Sequence, residues 1–261
     1  MKKFIYMSIM TVLIGVFIYS LYNIYVIQSE YEESNSTYEE LVSDVSNTET
    51  GHPTQTREGA QSSQETEKET KSEVNLNIDF PKLQKINKDV IGWIYNPGTV
   101  INYPVVQGKD NSYYLKHLIN GTYNASGTPF LDCHMKPDFS DKNMFIYGHH
   151  MKNGSMFSSI TKYKEKDYYN KHKYMYLLTP TKKYRLEVFS AYITKATSDT
   201  YMRGFKENDK FKKYIDYIRG LSLIKTDVDV TIKDTVVSLS TCTYEYENAR
   251  FVVHTKRVEI Q

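Results

Sequence analysis

The run Thr235-Val236-Val237-Ser238-Leu239-Ser240-Thr241-Cys242, followed by Arg250-Phe251-Val252-Val253-His254, decides how this chain folds and where its chemistry lies. Both runs are rich in β-branched and apolar residues and free of Gly and Pro, so they predict the last two strands, over 228–239 and 251–258. Cys242 stands just past the end of the first strand and Arg250 just before the second. If the strands are neighbours, a short loop brings both side chains to one rim. A guanidinium there favours a thiolate and can donate hydrogen bonds to an oxyanion.

Working outward, strands are expected at 91–95, 100–106, 144–147, 174–178 and 184–194, with a turn at Thr179-Pro180-Thr181-Lys182 joining the last two. Asp79 before Phe80-Pro81 predicts a capped N-terminal helix. A helix is also expected over 155–163. Between Asp199 and Asp227, Phe211, Tyr214, Ile215 and Ile218 share one helical face, and Gly220 ends it. Helices do not alternate regularly with strands, which argues against a doubly wound parallel sheet and for a barrel or sandwich with helical additions. The 24 tyrosines in 261 residues agree with a mostly β protein.

A thiol of ordinary acidity is largely protonated at neutral pH, so a cysteine nucleophile needs a partner such as histidine. His149 follows Gly148 just past the strand at 144–147 and is the first candidate. His150 beside it and His254 inside the last strand are rivals. Cys133 is a rival nucleophile with His134 next to it. Neighbours in a strand point to opposite faces, however, and no Arg lies nearby in sequence, so Cys133 reads as structural. Two cysteines make no disulfide framework, and these two are expected to stay free.

Three motifs in one order resemble class B sortases. Ser238-Leu239-Ser240-Thr241-Cys242 with Arg250 before Phe251-Val252-Val253 resembles the family's active-site strand, with Ser238 where Thr is usual. Phe145-Ile146-Tyr147-Gly148-His149-His150-Met151, then Gly154-Ser155-Met156-Phe157, resembles its histidine motif. Tyr103-Pro104-Val105-Val106-Gln107 and Asp110-Asn111-Ser112-Tyr113-Tyr114-Leu115 resemble its N-terminal part, and the helix-bearing insert at 199–227 resembles the class. The resemblance spans roughly 78–260. It implies an eight-stranded sortase-type β-barrel with an N-terminal helical extension and a helix inserted before the last two strands.

The resemblance also implies a cysteine transpeptidase with Cys242 as nucleophile, His149 as the proton-transferring group and Arg250 as the oxyanion and substrate ligand. Ser240 and Thr243 flank the nucleophile and are expected to touch substrate. The implied partners are surface proteins bearing a C-terminal Asn/Ser-Pro-x-Thr motif and an amine of a peptidoglycan precursor. No metal or other cofactor is expected. Alternatives with the same residues are a cysteine peptidase acting on wall peptides and a pilus-assembling sortase. A non-catalytic binding domain would not need Cys, His and Arg in this arrangement.

The remainder of the chain fits an extracellular enzyme. Residues 1–27 carry Lys2 and Lys3 and then 24 uncharged residues. As a helix that stretch spans about 36 Å, enough to cross a hydrocarbon core of about 30 Å. The run ends in Asn-Ile-Tyr-Val-Ile-Gln, unlike a signal-peptide cleavage site, so an uncleaved transmembrane anchor is expected, with the N-terminus cytoplasmic. Residues 28–75 hold 12 acidic and 3 basic residues and are expected to form a disordered acidic linker. Residues 76–261 hold 28 Lys and Arg against 19 Asp and Glu, a net of +9 that suits an anionic surface. No Walker loop, zinc-ligand spacing or RNA-binding signature is present, and nucleic acid is not an expected partner.

Overall fold

The computed structural model describes residues 2–46 and 76–260. Among them are eight strands: β1 (Val90–Tyr95), β2 (Asn102–Val106), β3 (Phe130–Leu131), β4 (Asn143–Tyr147), β5 (Tyr174–Leu178), β6 (Lys183–Lys195), β7 (Thr235–Cys242) and β8 (Ala249–Ile260). They close into a barrel in the order β1-β2-β3-β4-β7-β8-β6-β5, with β5 returning to β1. The expected eight-stranded barrel is therefore present. Closure leaves no free sheet edge.

The side-chain pattern shows why these segments close. In β6, Tyr184, Leu186 and Val188 are buried and alternate with the more open Lys183, Arg185 and Glu187. This is the period of a sheet with one face on the core. β7 is buried without interruption from Val236 to Thr241 because both its faces are covered. Val237 and Leu239 enter the main core, while Val236 joins a second cluster. That second cluster is covered by α4 (Asn208–Gly220), whose Phe211, Tyr214, Ile215 and Ile218 pack on Phe189 and Tyr192 of β6. The inserted helix thus lies before the last two strands, on the face its spacing predicts.

Two pairings bring strand ends together at one rim. β7 and β8 are antiparallel in register from Thr235↔Arg257 to Cys242↔Arg250. β4 lies parallel to β7 on its other side, from Asn143↔Val236 to Tyr147↔Ser240. The C-terminal ends of β4 and β7 and the start of β8 therefore meet at one end of the barrel.

Local structure departs from the sequence expectations in places. The strand expected from residue 228 begins only at Thr235, because Asp234 accepts the N–H and hydroxyl of Thr231 and closes a turn. The helix expected over 155–163 is a 3₁₀ helix, Ser158–Lys164, followed by α3 (Lys166–Lys171). Met156 at φ 57° keeps the preceding residues out of the helix. The short helix α2 (Phe80–Ile86) forms as expected, with the Asp79 carboxylate accepting the N–H of Lys82 at 2.9 Å.

The N-terminal segment differs most. One helix, α1 (Lys2–Val45), runs without a break through the expected boundary at residues 27 and 28. From Phe4 to Ile27 its large apolar side chains are almost all exposed, and it is long and apolar enough to cross a membrane. Beyond that, Ser34, Tyr38, Leu41 and Val45 are buried against the barrel and Tyr31 is partly so. Residues 28–45 are thus helical and docked, which corrects the expectation of a disordered linker there. The physical reason is the alternating spacing of three and four residues at 31, 34, 38, 41 and 45, which gathers one face of the helix on the domain. The rest of the expected linker, 47–75, lies outside the described residues.

Candidate active site

Cys242 is the last residue of β7, and its thiol is free and half-buried. Arg250 is its register partner on β8 and donates from Nη1 to the Ala249 carbonyl at 3.0 Å. The chain leaving β4 is fastened to β7 for two further contacts. Gly148 N–H donates to Ser240 O at 3.1 Å, and Thr241 Oγ1 donates to Gly148 O at 2.7 Å. His149 follows at once. Gly148 is required here, since a Cβ at this position would stand 2.7 Å from the Phe157 ring. Cys242, His149 and Arg250 thus come from three strand ends that share a rim.

The two adjacent histidines are held differently. His149 Nε2 lies 2.7 Å from Leu115 O. A carbonyl only accepts, so Nε2 carries the hydrogen and Nδ1 is left for other chemistry. His150 Nδ1 lies 3.0 Å from Cys242 O and donates to it, while its ring packs 5.2 Å from that of Tyr244. His150 therefore braces the backbone of the cysteine itself. Among the described residues the Cys242 thiol has no hydrogen bond.

His254 is in neither position. It is fully buried, with Nδ1 2.7 Å from Ser238 Oγ and Nε2 3.0 Å from Tyr192 OH. Burial pushes it down to about 3, so it stays neutral. It is a core residue.

Cys133 has more company than its neighbours in sequence suggest. Its Sγ lies 3.4 Å from His134 Nδ1, because β3 ends at Leu131 and strand alternation does not reach 133 and 134. Arg203, distant in sequence, donates to the buried Asp132 at 2.7 Å and lies 3.0 Å from His134 Nδ1. Burial and the Asp132 charge push the Cys133 thiol up, the wrong direction for a nucleophile. Asp132, Cys133 and His134 offer three ligand atoms within 4.8 Å of one another. The carboxylate is already taken up by Arg203, Tyr147 OH at 3.1 Å and His134 at 2.8 Å.

Ser240 and Thr243, which flank the cysteine in sequence, are both buried. Ser240 Oγ pairs with Tyr201 OH at 2.8 Å, and Thr243 Oγ1 donates to Glu245. Tyr201 comes from the insert before α4, and no local sequence signal marks it. Burial pushes its hydroxyl up to about 12, with Arg250 and Cys242 both close enough to act on it. Leu115 is equally silent in the sequence, since it acts through its carbonyl and any residue supplies one.

A thiol, an imidazole and a guanidinium on one rim are the groups that acyl transfer through a thioester needs. Residues 94–258 match the Sortase domain model. The chain is 37% identical over 194 residues to sortase B of Staphylococcus aureus, covering 73% of this chain and 79% of that one. The Staphylococcus aureus sortase B–substrate complex superposes with a TM-score of 0.67 at 35% identity, over 70% of this chain and 85% of that one. A sortase B complexed with triglycine superposes with a TM-score of 0.66 at 37% identity, over 70% and 86%. Sequence and barrel agree: the chain belongs to the sortase family of cysteine transpeptidases, and within it to class B.

Proposed function

We propose that this transpeptidase cleaves a C-terminal sorting motif of the Asn/Ser-Pro-x-Thr type after Thr and passes the acyl group to a peptidoglycan amine. The observation that carries the reading is the register pair Cys242↔Arg250 beside the β4 end that presents His149. The Cys242 thiolate attacks the Thr carbonyl carbon, and Arg250 neutralises the developing oxyanion. The C–N bond breaks as protonated His149 gives its proton to the leaving amine. An incoming amine then attacks the thioester, returns a proton to His149 and expels the thiolate. One amide replaces another, so no external energy source is needed. The sortase B complexed with triglycine supports a glycine-type amine as acceptor.

The exposed apolar part of α1 supports anchoring in the membrane, with the N-terminus cytoplasmic by Lys2 and Lys3 and the barrel outside. Anchoring would place enzyme and lipid-linked acceptor on one membrane face and raise their effective concentration. The test uses the full chain in lipid nanodiscs with a quenched-fluorophore library of x-Pro-x-Thr-x peptides. Cleavage after Thr that disappears in Cys242→Ala supports the reading. Cleavage that persists in Cys242→Ala and stops in Cys133→Ala would overturn the choice of nucleophile.

A further inference from the structure

We propose that Tyr38, on the docked part of α1, is a positioning residue for His149. The proposal rests on the reading of His149 as the proton-transferring group. Two lines of contact join the residues, one to the imidazole and one to the backbone.

The first line runs through the loop that ends in Leu115 O. That carbonyl belongs to a 3₁₀ turn, Tyr113–Leu115, and Gly127 backs it directly. At φ +61°, a Cβ on Gly127 would stand 2.3 Å from Tyr114 O and 3.0 Å from Leu115 O. Thr128 N–H closes the contact by donating to Tyr114 O at 3.0 Å. The Tyr38 hydroxyl holds this pair from outside, donating to Gly127 O at 2.8 Å and lying 2.8 Å from Thr128 Oγ1. Thr128 uses its own hydrogen on His117 O at 2.9 Å, so the Tyr38 hydrogen serves both contacts.

The second line starts from the Tyr38 ring, which meets Tyr103 edge-on at 5.2 Å. Tyr103 OH accepts the Met156 N–H at 3.1 Å, and the next N–H, of Phe157, donates to His149 O at 2.9 Å. One buried side chain of the anchor helix thus braces both the ring partner and the peptide of His149. Because α1 is continuous from its exposed apolar residues to Tyr38, the membrane anchor and this histidine form one mechanical unit. The hydroxyl of Tyr38, and not only the bulk of its ring, then sets how often His149 is correctly aimed.

The test compares Tyr38→Phe with wild type as full chains in nanodiscs, and uses Ser43→Ala on the same helix as a control, since the Ser43 hydroxyl bonds within its own helix, to Glu40 O. Histidine-¹⁵N spectra read the His149 Nε2–H signal directly, and steady-state kinetics read kcat and KM. We expect Tyr38→Phe to move that signal and lower kcat by about 3- to 10-fold, with KM within about twofold. Ser43→Ala should change neither. Thr128→Val removes the Oγ1 part of the Tyr38 contact from the barrel side, together with the Thr128 bond to His117 O, and should move the signal in the same direction, which covers the case of an unstable Tyr38 variant. An unmoved His149 signal in folded Tyr38→Phe and Thr128→Val would overturn the proposal. A moved signal with unchanged kcat, alongside an active His149→Ala, would uphold the link and remove His149 from the chemistry instead.

Discussion

Cys242 and Arg250 stand directly opposite each other as the last register pair of β7 and β8 at the rim. Side chains of directly paired residues share a face of the sheet, so the thiol and the guanidinium are presented to the same volume. An antiparallel pair fixes this relationship through backbone hydrogen bonds rather than through loop conformation, which suits a site that must stay aligned.

Arg250→Lys keeps the charge but loses the planar fork of donors, and should lower kcat/KM by about 100-fold. Arg250→Ala should cost about tenfold more. Peptide cleavage by both variants, with circular dichroism to confirm folding, checks this. Equal activity in Arg250→Lys and wild type would mean that only charge matters.

The neighbouring histidines should separate cleanly. His149→Ala should lower kcat by about 10³-fold, within the range of lost general acid–base catalysis. The His150 ring bonds the Cys242 carbonyl and packs on the Tyr244 ring, so His150→Ala removes a brace and should cost less than about tenfold. The reverse order would exchange their assignments.

His254 predicts a pH dependence of stability. Its folded-state pKa, about 3, lies below the ordinary value of 6.5. The unfolded chain therefore takes up this proton first as pH falls. Stability from this residue is complete above about pH 6.5 and is lost progressively down to about pH 3. The slope is about 1.4 kcal/mol per pH unit, or about 2 kcal/mol between about pH 6.5 and 5. Urea unfolding of the full chain in micelles at these two values, compared with His254→Gln, should show the loss in wild type and a smaller one in the variant.

Topology is equally open to measurement. External protease added to intact cells should remove the catalytic domain while the N-terminal segment stays protected. Protection of the whole chain would contradict an outward-facing barrel.

The barrel is most legible in the sequence where one physical rule governs. The strands at 184–194 and 251–258 are long and strongly patterned, and both form. Phe211, Tyr214, Ile215 and Ile218 mark a helical face that packs as written. β3, of two residues, is too short to leave a pattern. The stripe at Tyr31, Ser34, Tyr38, Leu41 and Val45 is present in the sequence, but the surrounding acidic residues mask it: composition there points to a linker while periodicity points to a helix. Cys133 and His134 are separated only by an alternation rule that holds inside a strand. Tyr201 and Leu115 reach the site through tertiary contacts, and nothing local in the sequence encodes them.

The fate of the acyl group tests transpeptidation most directly. Full-length enzyme in nanodiscs is given a cleavable sorting peptide with increasing triglycine, and the products are weighed by mass spectrometry. We expect the fragment ending in Thr to shift from free acid to the triglycine adduct as the amine rises, and Cys242→Ala to form neither. Free acid alone at every triglycine concentration, still dependent on Cys242, would contradict transfer to an amine and leave a peptidase.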